Sequence, residues 1–298
     1  MLEASAVRKE FGGLVAVDDV TFEIGEEEIV GLIGPNGAGK TTLFDTISGV
    51  HRADGDATIR FDGIDLAGRP PHIVSRSGLV RTFQIVRVFG EMSVLENAVT
   101  GATFGSDDPP SRAVAEDRAI ETLEFVGLGA KRDAPAATLT VAEQKRLELA
   151  RALATDPKLV MLDELASGLT LGEIDEISEV IRRIRDEQGI SVFWIEHIMD
   201  AIMGTADRII VLSNGRKIAA GTPAEIRANE EVTEIYLGNE AAGGTNGSDA
   251  TDGDNGHANE REDETGTENG NGNGNRNRNG VAGADDGSET GSGGADES

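Results

Sequence analysis

Gly34-Pro35-Asn36-Gly37-Ala38-Gly39-Lys40-Thr41 fits the pattern G-x-x-x-x-G-K-[ST] and stands between an apolar β-branched run, Ile29 to Ile33, and a segment of helical pattern. A phosphate-binding loop requires that context. Glycines let the chain curl until successive backbone N–H groups face one point, and the helix that starts near Lys40 adds the positive end of its dipole. The pattern assigns Lys40 to β and γ phosphates and Thr41 to Mg²⁺, and the next residue, Thr42, is expected at an α phosphate. Gly34, Pro35, Asn36, Gly37, Ala38, Gly39, Lys40, Thr41 and Thr42 are therefore the candidate nucleotide-binding set.

Outward from the loop, short apolar runs alternate with amphipathic segments. Ile29 to Ile33, Leu159 to Leu162, Val192 to Ile195 and Arg208 to Leu212 read as strands buried on both faces. Leu171 to Glu187 places Ile174, Ile177, Val180, Ile181 and Ile184 on one helical stripe, and Ala142 to Ala154 behaves similarly. This is a βαβ pattern, so a mainly parallel sheet flanked by helices is expected. Ala4 to Ile24 instead reads as two strands joined through Phe11-Gly12-Gly13, an antiparallel sheet beside the parallel one. Pro109-Pro110 followed by the helical pattern from Ser111 to Val126 suggests an inserted helical lobe.

Leu159-Val160-Met161-Leu162-Asp163-Glu164 is an apolar strand that ends in two acids. Alone it could be a strand-to-loop boundary. Downstream of a phosphate loop it is the arrangement in which Asp163 lies beside a metal and Glu164 faces an attacking water.

Composition narrows the functional classes. Among 298 residues, 54 acidic and 27 basic side chains give a net charge of -27, which argues against a sequence-independent grip on nucleic acid. Residues 240–298 hold 14 of those acids and three of the bases, so residues 1–239 still carry 40 acids against 24 bases. Arginine outnumbers lysine 21 to 6, and with an acidic surface this resembles proteins of salt-loving microbes. Cysteine is absent, which removes disulfides, cysteine nucleophiles and thiolate metal sites together. No stretch reaches the roughly 20 unbroken apolar residues of a membrane span, and the amino terminus lacks the layout of a signal peptide, so a cytoplasmic protein is expected. From about Gly243 onward, runs such as GGTNGSDATDGDNG and NGNGNRNRNG offer almost nothing apolar to offset ordering entropy. Residues 241–298 are expected to form a disordered acidic Gly/Asn-rich tail, a solvated extension or a docking segment.

With these motifs in this order, the chain resembles the ABC ATPase family over residues 2–238. The resemblance implies a P-loop NTPase, an α/β fold with a mainly parallel core sheet, an antiparallel β subdomain and a helical subdomain at about 85–157, all within residues 1–240. It implies further site residues. Phe11 resembles the aromatic that stacks on adenine, and Val17 sits near the ribose position, with ordinary core as its alternative. Gln84 in Arg81-Thr82-Phe83-Gln84 resembles the glutamine that reaches metal and water. His197 in Trp194-Ile195-Glu196-His197 resembles the switch histidine at the γ phosphate, although alone it would read as a hydrogen-bonded structural histidine. The signature segment departs from L-S-G-G-Q: it reads Leu139-Thr140-Val141-Ala142-Glu143, keeping a hydroxyl at Thr140 and losing both glycines. Thr140, Val141, Ala142 and Glu143 still open a helix whose N–H groups could face a γ phosphate across a dimer. Leu165 replaces a usual proline, and Thr170 a usual Asn or Asp.

Gly78 to Gln84 followed by Val88 to Asn97 is similar to the branched-chain amino-acid importer ATPases. The expectation is thus an ATPase using ATP and Mg²⁺, peripheral on the inner face of the cell membrane. Its implied partners are membrane permease subunits, a second ABC ATPase subunit, identical or not, and indirectly a substrate-binding protein, with no nucleic acid. Rival readings are a translation or repair ATPase, for which a second cassette or coiled-coil insertion is missing, a weakly catalytic regulatory subunit, and a transporter of another cargo such as urea or a lipid.

Overall fold

The structure, a computed structural model, describes residues 1–82, 88–105, 108 and 110–235. The expected tail, 241–298, lies outside the described residues. Two sheets organise the chain. The first is antiparallel, in the order β2-β1-β4-β5, from β1 (Leu2–Phe11), β2 (Leu14–Ile24), β4 (Thr58–Phe61) and β5 (Ile64–Asp65). Gly12 and Gly13 turn β1 into β2 with φ of 54° and 90°, the left-handed region that glycine enters without penalty.

The second sheet has six strands in the order β10-β9-β3-β8-β7-β6. They are β3 (Ile29–Ile33), β6 (Leu79–Arg81), β7 (Leu159–Asp163), β8 (Ser191–Ile195), β9 (Arg208–Ser213) and β10 (Arg216–Gly221). Every neighbouring pair is parallel except β9 with β10. β3, β7 and β8 are buried along their whole length, and alternate residues enter different cores. Ile29, Ile33, Val160 and Leu162 face one core, and Val30, Leu32, Leu159 and Met161 face the other. Each such side chain contributes about 1.5–3 kcal/mol by leaving water, so burial on both faces selects continuous apolar runs over alternation.

Helices α1 (Lys40–Ile47), α2 (Pro71–Arg76), α3 (Val94–Phe104), α4 (Arg112–Phe125), α5 (Val141–Ala154), α6 (Leu171–Gln188), α7 (Met199–Thr205) and α8 (Pro223–Arg227) complete the described fold. The stripe Ile174, Ile177, Val180, Ile181 and Ile184 of α6 is buried in the first core as its period required, and Gly189 ends the helix with φ of 65°. The lobe expected from 111–126 is present as α4, packed with α3 and α5. Four helices begin with reciprocal capping boxes: Ser93 with Glu96, Thr140 with Glu143, Thr170 with Glu173 and Thr222 with Glu225. Among the described residues, no helix is long and apolar enough to cross a membrane.

Candidate nucleotide site at the strand ends

Strand order places the chemistry. β3, β8 and β7 are adjacent and parallel, so the loops leaving their carboxyl ends converge, and these loops begin with Gly34, Glu196 and Glu164. The loop after β3 is fixed by its glycines. A Cβ on Gly34 would lie 2.3 Å from the Leu212 carbonyl oxygen, and one on Gly39, whose φ is 99°, 2.3 Å from that of Ala16. The turn between β9 and β10 closes the loop from behind: the Gly215 N–H donates to the Ala38 carbonyl at 3.0 Å, and the Asp18 N–H donates to the Gly215 carbonyl at 2.8 Å. Asn36 and Gly37 are exposed and Ala38 is buried.

Lys40 opens α1 and turns back over the loop, its Nζ donating to the carbonyls of Gly34 at 2.7 Å and Pro35 at 3.1 Å. Burial pulls the ammonium below its usual range, while Glu164 and Asp163 act against that shift. Lys40, Asp163 and Glu164 therefore share one electrostatic environment, as the sequence pattern required. Thr41 is exposed and Thr42 half-buried on the first turn of α1.

Asp163 ends β7 almost wholly buried. Its Oδ2 accepts from Arg81 Nη2 at 2.7 Å, and the same guanidinium donates to Asp45 at 2.5 Å. Burial pushes the Asp163 carboxyl up, and the Arg81 hydrogen bond opposes it. Asp163 Oδ1 is buried and accepts from no donor among the described residues, an oxygen placed to take a metal ion or its water. No cluster of three His, Asp or Glu that could hold a metal exists among the described residues. A Mg²⁺ here would thus be held by Asp163, the Thr41 hydroxyl and phosphate oxygens, which suits a small cation that takes few protein ligands. Gln84, also expected at the metal, lies outside the described residues.

Glu164 has a left-handed backbone, φ 49°, and donates its N–H to the Ile195 carbonyl at 3.0 Å. His197 follows β8 with its side chain exposed and its Nδ1 3.4 Å from Glu196 Oε1. Glu196 itself is completely buried and accepts the N–H groups of His197, Ile198 and Ala166. Lys145 on α5 donates to the Leu165 carbonyl at 2.7 Å, and burial pulls its ammonium down. Leu165, where the resemblance expects proline, is buried.

The signature segment lies at the start of α5. The Thr140 hydroxyl accepts the Glu143 N–H at 3.3 Å, and Glu143 returns a bond to the Thr140 N–H at 3.1 Å while pairing with Lys131 at 2.5 Å. Val141 is exposed and Ala142 buried. Thr170, the other departure, caps α6 through Glu173. Phe11 is 41% exposed, with His51 edge-on at 5.1 Å and the Lys9 ammonium over its ring, 5.2 Å from the centre. Val17 is fully buried in the second core, the ordinary reading that had been its alternative.

Sequence reasoning gave no role to Asp45, Arg81, Lys145 or Glu196. The signal it could have used was a charge where the pattern demands an apolar residue: Arg81 after Leu79-Val80, Glu196 after Val192–Ile195, and Lys145 on the same stripe as Ala142 and Leu149.

Residues 17–167 match the family described as ABC transporter, and residues 216–242 match the one described as branched-chain amino acid ATP-binding cassette transporter. The chain is 42% identical over 250 residues to the high-affinity branched-chain amino acid transport ATP-binding protein LivG of Escherichia coli, covering 80% of this chain and 98% of that one. It is 40% identical, with the same coverages, to BraF of Pseudomonas aeruginosa, and 35% identical to the lipopolysaccharide export system ATP-binding protein LptB of Escherichia coli, covering 80% and 97%. Among solved structures, it is similar to the ADP conformation of MJ1267, an ATP-binding cassette of an ABC transporter, with a TM-score of 0.72 and 30% identity over 80% of this chain and 98% of that one.

Proposed function

This chain belongs to the ABC transporter family of ATP-binding subunits, and we propose that it energises uptake of branched-chain amino acids through separate membrane permease subunits. The convergence of the Lys40 loop, Asp163, Glu164 and His197 at the ends of three adjacent strands carries the catalytic part of that reading. The match of residues 216–242 supports the cargo. Lipid export is a second cargo reading, supported by the 35% identity to LptB.

In the proposed reaction, the backbone N–H groups from Asn36 to Thr41 and the Lys40 ammonium hold the β and γ phosphates, Thr42 the α phosphate, and Phe11 stacks on adenine. Lys40 exchanges its own loop's carbonyls for more strongly accepting phosphate oxygens. Glu164 orients a water and takes its proton as the water oxygen bonds to the γ phosphorus. The bond from that phosphorus to the β–γ bridging oxygen breaks, leaving ADP and inorganic phosphate. A bound Mg²⁺ would supply positive charge against the negative charge that develops in the transition state. Asp163 and Thr41 would hold the metal, with Gln84 assigned to it by the family resemblance alone, and His197 would donate to the γ phosphate. Catalysis of this kind rests on positioning and charge stabilisation.

The second half of each site is proposed to come from Thr140, Val141, Ala142 and Glu143 of a second ATPase subunit. A cleft of about 360 Å³ between α3, α5 and β6, rimmed by the exposed Phe89 and Phe104, is offered as the seat of a permease helix. The subunit then works on the inner membrane face, supplied through the permease by a substrate-binding protein.

The test is reconstitution with candidate branched-chain amino-acid permease subunits in liposomes. ATP-dependent leucine uptake, lost on Lys40→Ala and on Glu164→Gln, is the expected result. ATP turnover without amino-acid uptake would send the cargo assignment elsewhere. Unchanged turnover by Glu164→Gln would remove that residue from its role.

A further inference from the structure

Three stretches distant in sequence meet behind Glu164. The two carboxylate oxygens of the completely buried Glu196 are divided between two loops: Oε1 accepts the N–H groups of His197 at 2.9 Å and Ile198 at 3.2 Å, and Oε2 accepts that of Ala166 at 3.1 Å. The buried Lys145 ammonium holds the Leu165 carbonyl at 2.7 Å and lies 3.4 Å from that of Glu164. The segment 164–166 is thus gripped at its carbonyls by one buried charge and at its amide by another of opposite sign. Lys145 lies in the field of Glu196, Glu148 and Glu164.

Such a pair is costly to bury, and apolar side chains would fill the same space at lower cost. What the pair adds is geometry. Glu164 keeps φ at 49°, a conformation that persists at a non-glycine residue only where its surroundings over-determine it. Ile195, Glu196 and Lys145 supply that determination through the N–H of Glu164, the N–H of Ala166 and the carbonyls between them.

We infer that Glu196 and Lys145 are positioning residues for ATP hydrolysis, a buried clamp that holds Glu164 in its left-handed geometry and makes it move as one body with His197. The inference rests on the proposed roles of Glu164 and His197. Neither clamp residue belongs to the phosphate loop, so the clamp acts on turnover and leaves nucleotide affinity alone.

The experiment measures steady-state ATPase activity of the full chain beside Glu196→Gln, Lys145→Met, the double variant and Glu164→Gln, with circular dichroism to select folded protein. Glutamine offers one acceptor oxygen in place of two, so either the switch N–H groups or Ala166 loses its partner. Glu196→Gln should lower kcat by about 10- to 100-fold, the scale of a misplaced catalytic group, with KM for MgATP within about twofold because the phosphate loop is untouched. Lys145→Met should show the same split, and the double variant should fall by less than the product of the two because both act on one segment. A kcat near wild type in both single variants, or a raised KM with unchanged kcat, overturns the clamp. If Glu196→Gln does not fold, Lys145→Met decides by the same split. Wild-type turnover by Glu164→Gln would instead defeat the reading beneath it, so the two failures are distinct.

Discussion

Arg81 donates to Asp163 across 2.7 Å, and the same guanidinium holds Asp45 at 2.5 Å. The acid at the end of β7 is thereby tied to the helix that follows the phosphate loop. Arg81 and Asp163 side chains are 7% and 1% exposed, so water cannot replace either partner. Arg81→Met should destabilise the fold by about 3–5 kcal/mol, the cost of leaving a buried charge unpaired. Urea unfolding measures it, and a loss below about 1 kcal/mol would show that water reaches the pair.

Gly39→Ala tests the loop. The added Cβ would lie 2.3 Å from the Ala16 carbonyl oxygen at a φ of 99°, so the loop or β2 must move. ATP affinity should fall by about tenfold or more, with about 1–3 kcal/mol of strain in the fold. Titration with a fluorescent ATP analogue reads the first effect; wild-type affinity would mean that the loop tolerates the shift.

Glu143 places a carboxylate on the helix end proposed to face a partner's phosphates, partly neutralised by Lys131 at 2.5 Å. Glu143→Gln keeps an acceptor for the Thr140 N–H and removes the charge. ATP-driven dimerisation, followed by size-exclusion chromatography in the Glu164→Gln background, should begin at lower ATP concentration. Stability should change by less than about 1 kcal/mol, as for an exposed ion pair. Weaker dimerisation would show that the acid contributes a needed contact.

Acid should loosen four helix starts together. Glu96, Glu173 and Glu225 are held below the ordinary 4.5 by the backbone N–H groups they accept from their capping residues, and Glu143 first by Lys131 and then by Thr140. Their folded pKa values lie under the unfolded ones, so the unfolded chain binds more protons as pH falls. The stability they contribute is complete above 4.5 and disappears as pH drops through the folded values. Asp163 runs the other way, because burial raises its carboxyl and acid relieves the cost of its charge. Urea midpoints for wild type and Glu173→Gln, taken from about pH 6 to about pH 4, should converge as pH falls. A constant gap would remove Glu173 from the acid response.

The parts legible in the sequence carry their own periodicity or spacing. The loop from Gly34 to Thr41 was legible because glycine spacing and the flanking run from Ile29 to Ile33 encode one local event, and α6 because five branched residues share a stripe. β5 and β6, of two and three residues, are too short to show any period and exist because neighbouring strands pair with them. Lys145 and Glu196 were missed for another reason: each is a charge at a position the apolar pattern claims, and only tertiary packing shows what that buried charge holds. The altered signature read correctly as a helix start, but nothing local announces that Glu143 meets Lys131, twelve residues back, at that start.

The grip of Gly215 on the Ala38 carbonyl, and of Asp18 on Gly215, has a consequence for biosynthesis. A chain emerging from the ribosome presents its glycine loop early, but the turn that fixes it, at Asn214 and Gly215, appears only after β3, β7 and β8 have been made. Until β9 and β10 have emerged and paired, the loop lacks its backing and the lysine its fixed seat. Nucleotide capture therefore waits for that hairpin: the pocket joins material made early to material made late, and a truncated chain without β9 and β10 would be a protein with the motif and no grip.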